Sequence, residues 1–120
     1  MKILYLPLKK EPYEMIDAEI KKEEYRGRTN YWMRRLCVHR NNSEACPKHW
    51  KGSKHISCED CANMYGLFSI DKFDAGCFSF GYTKRRMMFE CKGITVGQGR
   101  KEWLAPDYET FIIKLGKRIE

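Results

Sequence analysis

Cys77-Phe78-Ser79-Phe80-Gly81-Tyr82 alternates aromatic with small residues, the two-residue period of a strand with one face buried. Lys84, Arg85 and Arg86 follow as a basic turn, and residues 87–96 read as a longer strand that Gly97 and Gly99 end. Further on, Phe111, Ile113 and Leu115 share one face of a closing strand. Upstream, residues 3–8 are apolar on both faces, the pattern of a strand in the middle of a sheet or barrel. Pro12 suits a first helical turn, and Tyr13, Ile16 and Ile20 recur at helical spacing, so a short helix is predicted over residues 12–19. Residues 21–28 are highly charged, with Tyr25 their only large apolar side chain, and read as an extended edge segment. Thr29 or Asn30 can cap a second short helix in which Trp32 and Leu36 share a face. Several strands with two short helices near the start predict an α+β protein, a small barrel or curled sheet forming one domain over residues 1–120.

Residues 38–65 interrupt this pattern. They follow neither a helical nor a strand period and hold few large apolar residues, so inside a compact domain they need another source of order. Cys46-Pro-Lys-His49 and Cys58-Glu-Asp-Cys61 supply one: two ligand pairs, each able to chelate an ion from a tight turn, with the thiolate and imidazole donors that tetrahedral zinc prefers. Bound zinc would contribute on the order of 10 kcal/mol to folding such a knuckle-like insert. The set Cys46, His49, Cys58 and Cys61 is four-coordinate and closed, hence structural; Cys37, His39 or His55 could each take the place of His49. Cys77 and Cys91 fall in predicted strands and are expected to behave as small apolar core residues. The longest apolar run, residues 3–8, contains Pro7 and is far too short to span a membrane, and no secretory signal peptide is visible. A cytoplasmic location is therefore expected, where thiols stay reduced and metal binding is favoured over disulfides.

The charge is unevenly spread. The chain carries 23 Lys+Arg against 16 Asp+Glu. Residues 26–57 hold eight basic residues (Arg26, Arg28, Arg34, Arg35, Arg40, Lys48, Lys51, Lys54) and the single acid Glu44, which leaves 15 of each sign elsewhere. The whole excess thus lies in one stretch, interleaved with Tyr31, Trp32, His39, His49, Trp50 and His55 as stacking surfaces, a composition that attracts polyanions. A solvated, solubilising face is the plainer alternative for a basic run.

Lys21-Lys22-Glu23-Glu24-Tyr25-Arg26, following a short helix, resembles the GxKxxExR signature of ASCH domains, the activating-signal-cointegrator homology group of the PUA-like superfamily. The start KILYLPLKK, the segments NYWMRRL, FDAGCFSFGYTKRRMMFE and ITVGQGRKEW, and the ending FIIKLGKRI are similar to small bacteriophage ASCH proteins. The likeness covers about residues 1–37 and 66–120 and skips the cysteine-rich stretch, which then reads as an insert. Two positions depart from it: Glu19 stands where the family has Gly, and Leu104 follows Trp103 where phage relatives often have Gly. Loss of the first glycine removes a residue free to take positive φ, so the turn into the signature is expected to be reshaped. The resemblance implies a small PUA-like β-barrel with short flanking helices and a cleft lined by Lys21, Glu24 and Arg26. It also implies RNA binding or, as in some bacterial members, hydrolysis of acylated cytidine or of RNA.

Considered by themselves, Glu24 and Arg26 point to one face of an extended segment, with Lys21 at its entrance able to turn toward them. A salt-bridge set on an edge strand is the bland alternative. Two functional classes follow. A binding module for RNA or another single strand would hold its ligand with Lys21, Glu24 and Arg26 and follow the backbone with Trp32, Arg34 and Arg35; Tyr25 and Tyr82 could serve as core or as base-stacking residues. A hydrolase would use Lys21 as oxyanion donor and Glu24 as general base. The acyl-cytidine hydrolases have a Thr at the position of Glu24, so their nucleophile is missing, which favours the binding module. For the metal, native mass spectrometry should find one zinc per chain, and Cys58→Ser should release it; a wild-type protein purified without metal and unable to take up zinc would eliminate the site.

Overall fold

A computed structural model describes residues 1–36, Ile70 and residues 72–120. Contacts group the chain into two compact units, Met1–Arg26 with Lys72–Glu120, and Gly27–Asp71. In chain order the elements are β1 (Ile3–Leu8), α1 (Lys10–Asp17), β2 (Glu23–Gly27), α2 (Asn30–Leu36), β3 (Ala75–Phe80), β4 (Arg86–Gly97), a 3₁₀ helix (Lys101–Trp103) and β5 (Thr110–Arg118). The strands form one mixed sheet in the order β1-β3-β4-β5-β2, with β1 parallel to β3 and both β3–β4 and β4–β5 antiparallel. The sheet is curled: Arg26 on the β2 edge donates from Nη2 to the carbonyl of Pro7 on the β1 edge at 3.0 Å, so its two outer strands lie within one side chain's reach. This is a small α+β fold with a half-barrel sheet. Among the described residues no helix is long and apolar enough to cross a membrane.

The two strands read from hydrophobic pattern exchange places. β1 was expected in the middle of the sheet but forms an edge: Leu4, Leu6 and Leu8 are buried while Tyr5 and Pro7 face outward. An edge tolerates Pro7, which has no N–H to give a neighbouring strand. β3 was expected to be half-buried and is instead buried along almost its whole length, because β1 and β4 flank it and α1 lies against it. Gly76 leaves room for the core aromatic on its own strand; a Cβ there would come within 3.1 Å of the Phe78 ring. Phe78 anchors the core edge-on to Phe89 of β4 (6.3 Å between ring centres), and Tyr13 of α1 meets Phe80 at 5.3 Å. Burying these aromatic and aliphatic side chains supplies the main favourable term, about 25 cal/mol per Å² of apolar surface. Cys77 is buried; Cys91 is half-buried, and burial pushes its thiol pKa up.

The predicted helix over residues 12–19 is displaced. α1 ends at Asp17, and Ile20, expected on its apolar face with Tyr13 and Ile16, is exposed. The cause is a left-handed helix end. Glu19 takes φ 59°, its N–H donates to Ile16 O and that of Ile20 to Met15 O, both at 2.9 Å. Glu19 thus adopts the conformation that a glycine would favour. Leu104 does the same at the end of the 3₁₀ helix, with φ 69° and its N–H donating to Lys101 O. Among the described residues these are the only non-glycine residues with positive φ. In β4, the pairing with β5 shifts between Phe89 and Gly93, where Gly93 takes φ 142°, and the resulting bulge bends the strand around the core.

A left-handed conformation costs a side-chain-bearing residue about 1–2 kcal/mol. Allowing for the extra unfolded-state entropy of glycine, Glu19→Gly and Leu104→Gly should each raise stability by about 0.5–1 kcal/mol in denaturant titrations. Destabilisation by either would show that the turn is held by the side chain instead.

Candidate functional site

The left-handed end of α1 aims the chain inward: the Lys21 N–H donates to Met15 O at 3.1 Å and the lysine side chain is buried. Its Nζ lies 3.3 Å from Oε1 of Glu24, donates to the carbonyl of Trp103 and sits 4.5 Å above the centre of the Tyr25 ring. Glu24, one residue into β2, is buried as well, and its second oxygen, Oε2, receives Arg26 Nη1 at 2.9 Å. Arg26 then extends along Nη2 to Pro7 O, and its side chain keeps 19% exposure, against 1% for Lys21 and 5% for Glu24. One carboxylate is thus shared by two cations, as the alternation along β2 predicts for Glu24 and Arg26. Burial lowers the Lys21 pKa; the Glu24 charge and hydrogen bond oppose this, and Arg26 reinforces it.

Tyr25 locks the array from the other face of β2. Its hydroxyl donates to Glu23 Oε1 at 2.8 Å and accepts the Arg100 N–H at 3.1 Å. The ring lies flush on Gly99, where a Cβ would come within 2.8 Å of Tyr25 Cδ1 and 2.6 Å of Ala105 Cβ. Tyr25 is therefore a packing residue beneath the lysine, not an exposed stacking platform. Near the array's entrance, Glu19, Lys21, Lys22, Phe89, Leu115 and Gly116 line a depression of about 40 Å³, room for a water molecule or two.

Lys21, Glu24 and Arg26 come together as predicted, whereas Tyr82 lies apart on the turn after β3, 98% exposed. In the second unit, Thr29 caps α2, its Oγ1 accepting the Trp32 N–H at 3.3 Å. Arg35 stacks over Trp32 (5.2 Å) and Tyr31 (5.8 Å), whose rings meet edge to face, and also donates to the Tyr31 hydroxyl at 3.3 Å. The Arg34 side chain, Trp50, and the candidate metal ligands Cys46, His49, Cys58 and Cys61 with Cys37, His39 and His55 lie outside the described residues. Three contributors were missed by sequence reasoning: the carbonyls of Pro7 and Trp103, which any residue could supply, and Gly99, legible only as a strand end.

Comparison with protein-family models, curated proteins and solved structures finds no match for this chain.

Burial pushes the Tyr25 phenol from 10 up to about 12. The unfolded chain releases this proton near pH 10 and the folded chain only near 12, so the stability it contributes is lost as pH rises through that interval. Lys21 acts in the opposite sense: its folded pKa lies below 10.5, so its contribution improves as pH climbs toward that value. Tyr25→Phe should flatten the fall in stability between pH 10 and 12, read from guanidinium unfolding at several pH values; an unchanged slope would refute the assignment.

Proposed function

We propose that this protein is a nucleic-acid-binding module of the ASCH type, within the PUA-like superfamily, that takes RNA or another single strand at the Lys21–Glu24–Arg26 array. The observation that carries the reading is that the signature residues fold as one unit, two cations on one carboxylate, entered through a left-handed residue at the position where the signature has glycine. Leu104, the second departure from the family pattern, is left-handed too, so both substitutions keep a backbone that glycine would favour. In this reading Lys21 and Glu24 set the shape and charge of the cleft, and Arg26, the most exposed of the three, meets a phosphate or carbonyl oxygen of the ligand. The basic excess of residues 26–57 adds long-range attraction.

Hydrolysis with Glu24 as general base fits less well. Both its oxygens are engaged by cations, so neither is free to take a proton from water without giving up an ion pair. Lys21, with its ammonium spread over Glu24, Trp103 O and the Tyr25 ring, would have to leave all three to reach a substrate.

Purification without nuclease, followed by mass spectrometry, should recover bound nucleic acid or nucleoside. In fluorescence anisotropy with a labelled single-stranded RNA, Arg26→Gln should weaken binding by roughly ten-fold, the loss expected for a hydrogen bond to a charged group. Absence of any bound or added nucleic acid at low salt would sink the proposal; turnover of acylated cytidine that disappears in Glu24→Gln would replace it with the hydrolase.

A further inference from the structure

The turn joining β3 to β4 holds chemistry that the array does not use. Tyr82 at its tip is 98% exposed, and among the described residues its ring and hydroxyl have no partner. An aromatic ring kept entirely in water contributes nothing to the core, yet the backbone beneath it is firmly built. Phe80 N–H donates to Arg85 O at 2.9 Å, closing the turn, and Gly81 N–H donates to Leu8 O at 2.8 Å, tying it to the end of β1. Ser79 Oγ donates to Gly81 O at 2.7 Å and Thr83 Oγ1 to Phe80 O at 2.6 Å, while Gly81 takes φ 57°. The tyrosine is thus presented on a rigid stem, at little further entropic cost on binding.

Basic residues follow it in the chain. Lys84, Arg85 and Arg86 are all exposed. Arg85 belongs to the scaffold: its guanidinium lies over Tyr13 (5.2 Å) and Phe80 (5.6 Å) and faces Asp17 at 3.8 Å. Asp17 is also claimed by Arg118 at 2.9 Å, so the nearby carboxylate is already shared by two arginines. Lys84 and Arg86 have no ion-pair partner among the described residues. A free aromatic face beside unpaired cations matches a stacked base with its neighbouring phosphates. Gly81 and Thr83, which flank the ring, offer no aliphatic side chain for a bilayer or an apolar protein groove.

We propose that the β3–β4 turn is a second contact for single-stranded nucleic acid, with Tyr82 stacking on a base and Lys84 and Arg86 meeting the adjacent phosphates. The inference rests on the nucleic-acid reading above but concerns a separate surface. The full-length chain is titrated with a labelled, unstructured RNA over a range of salt. Tyr82→Ala should weaken binding by roughly ten-fold, within the range for loss of one stacked base, and Tyr82→Phe should restore it, since stacking needs the ring and not the hydroxyl. The double variant Lys84→Ala, Arg86→Ala should reduce the slope of log K against log salt by about 1.4, two phosphate contacts on a single strand. Photocrosslinking of a thiouridine-containing RNA to the wild-type chain, mapped by mass spectrometry, gives a readout independent of any variant and should mark residues 81–86. Wild-type binding that is unaltered in these variants, with crosslinks elsewhere, overturns the turn as a contact and leaves the array standing. No binding by the wild type overturns both.

Discussion

The buried carboxylate of Glu24, shared between Lys21 and Arg26, is the constraint on which residues 21–26 are organised. An ion set taken out of water survives only when each charge finds partners, and here the partners come from four parts of the chain. Glu24 lies on β2, Lys21 is delivered by the end of α1, Trp103 O comes from the 3₁₀ helix and Pro7 O from the far edge of the sheet. Removing the carboxylate would strand two cations, one of them fully buried, a loss of about 3–5 kcal/mol for a broken buried pair.

That requirement explains features that look unrelated in the sequence. Lys21 reaches Glu24 because α1 stops at Asp17 and the chain reverses through a left-handed Glu19. Trp103 offers its carbonyl from a short helix that Leu104 closes with the same conformation. Gly99 lets Tyr25 lie flat beneath the lysine. Arg26 joins the array to the β1 edge, so the curl of the sheet and the geometry of the charges are coupled through one side chain.

The resulting division of labour separates held charges from presented ones. Lys21, Glu24 and Tyr25 spend their polar groups on each other, on Glu23 and Arg26, and on the backbone. Arg26 is partly open, and Tyr82, Lys84 and Arg86 are exposed.

By itself the sequence determined which elements exist. Apolar runs and two-residue alternation located β1, β3, β4 and β5, Pro12 and the spacing of Tyr13 and Ile16 located α1, and the positions of Glu24 and Arg26 on one extended segment placed them side by side. These are properties of neighbours along the chain, and period alone reports them. Tertiary structure alone decided which strand is central. An apolar run on both sides of β1 and a small–aromatic alternation in β3 describe side chains, not what covers them, and the covering of β3 by β1, β4 and α1 reverses the expected burial. It also decided the left-handed turns at Glu19 and Leu104, where the surrounding hydrogen bonds overrule residue preference, and the carbonyl contacts of Pro7 and Trp103. A backbone oxygen has the same chemistry in every residue, so only the fold can bring a particular one to a buried lysine or arginine.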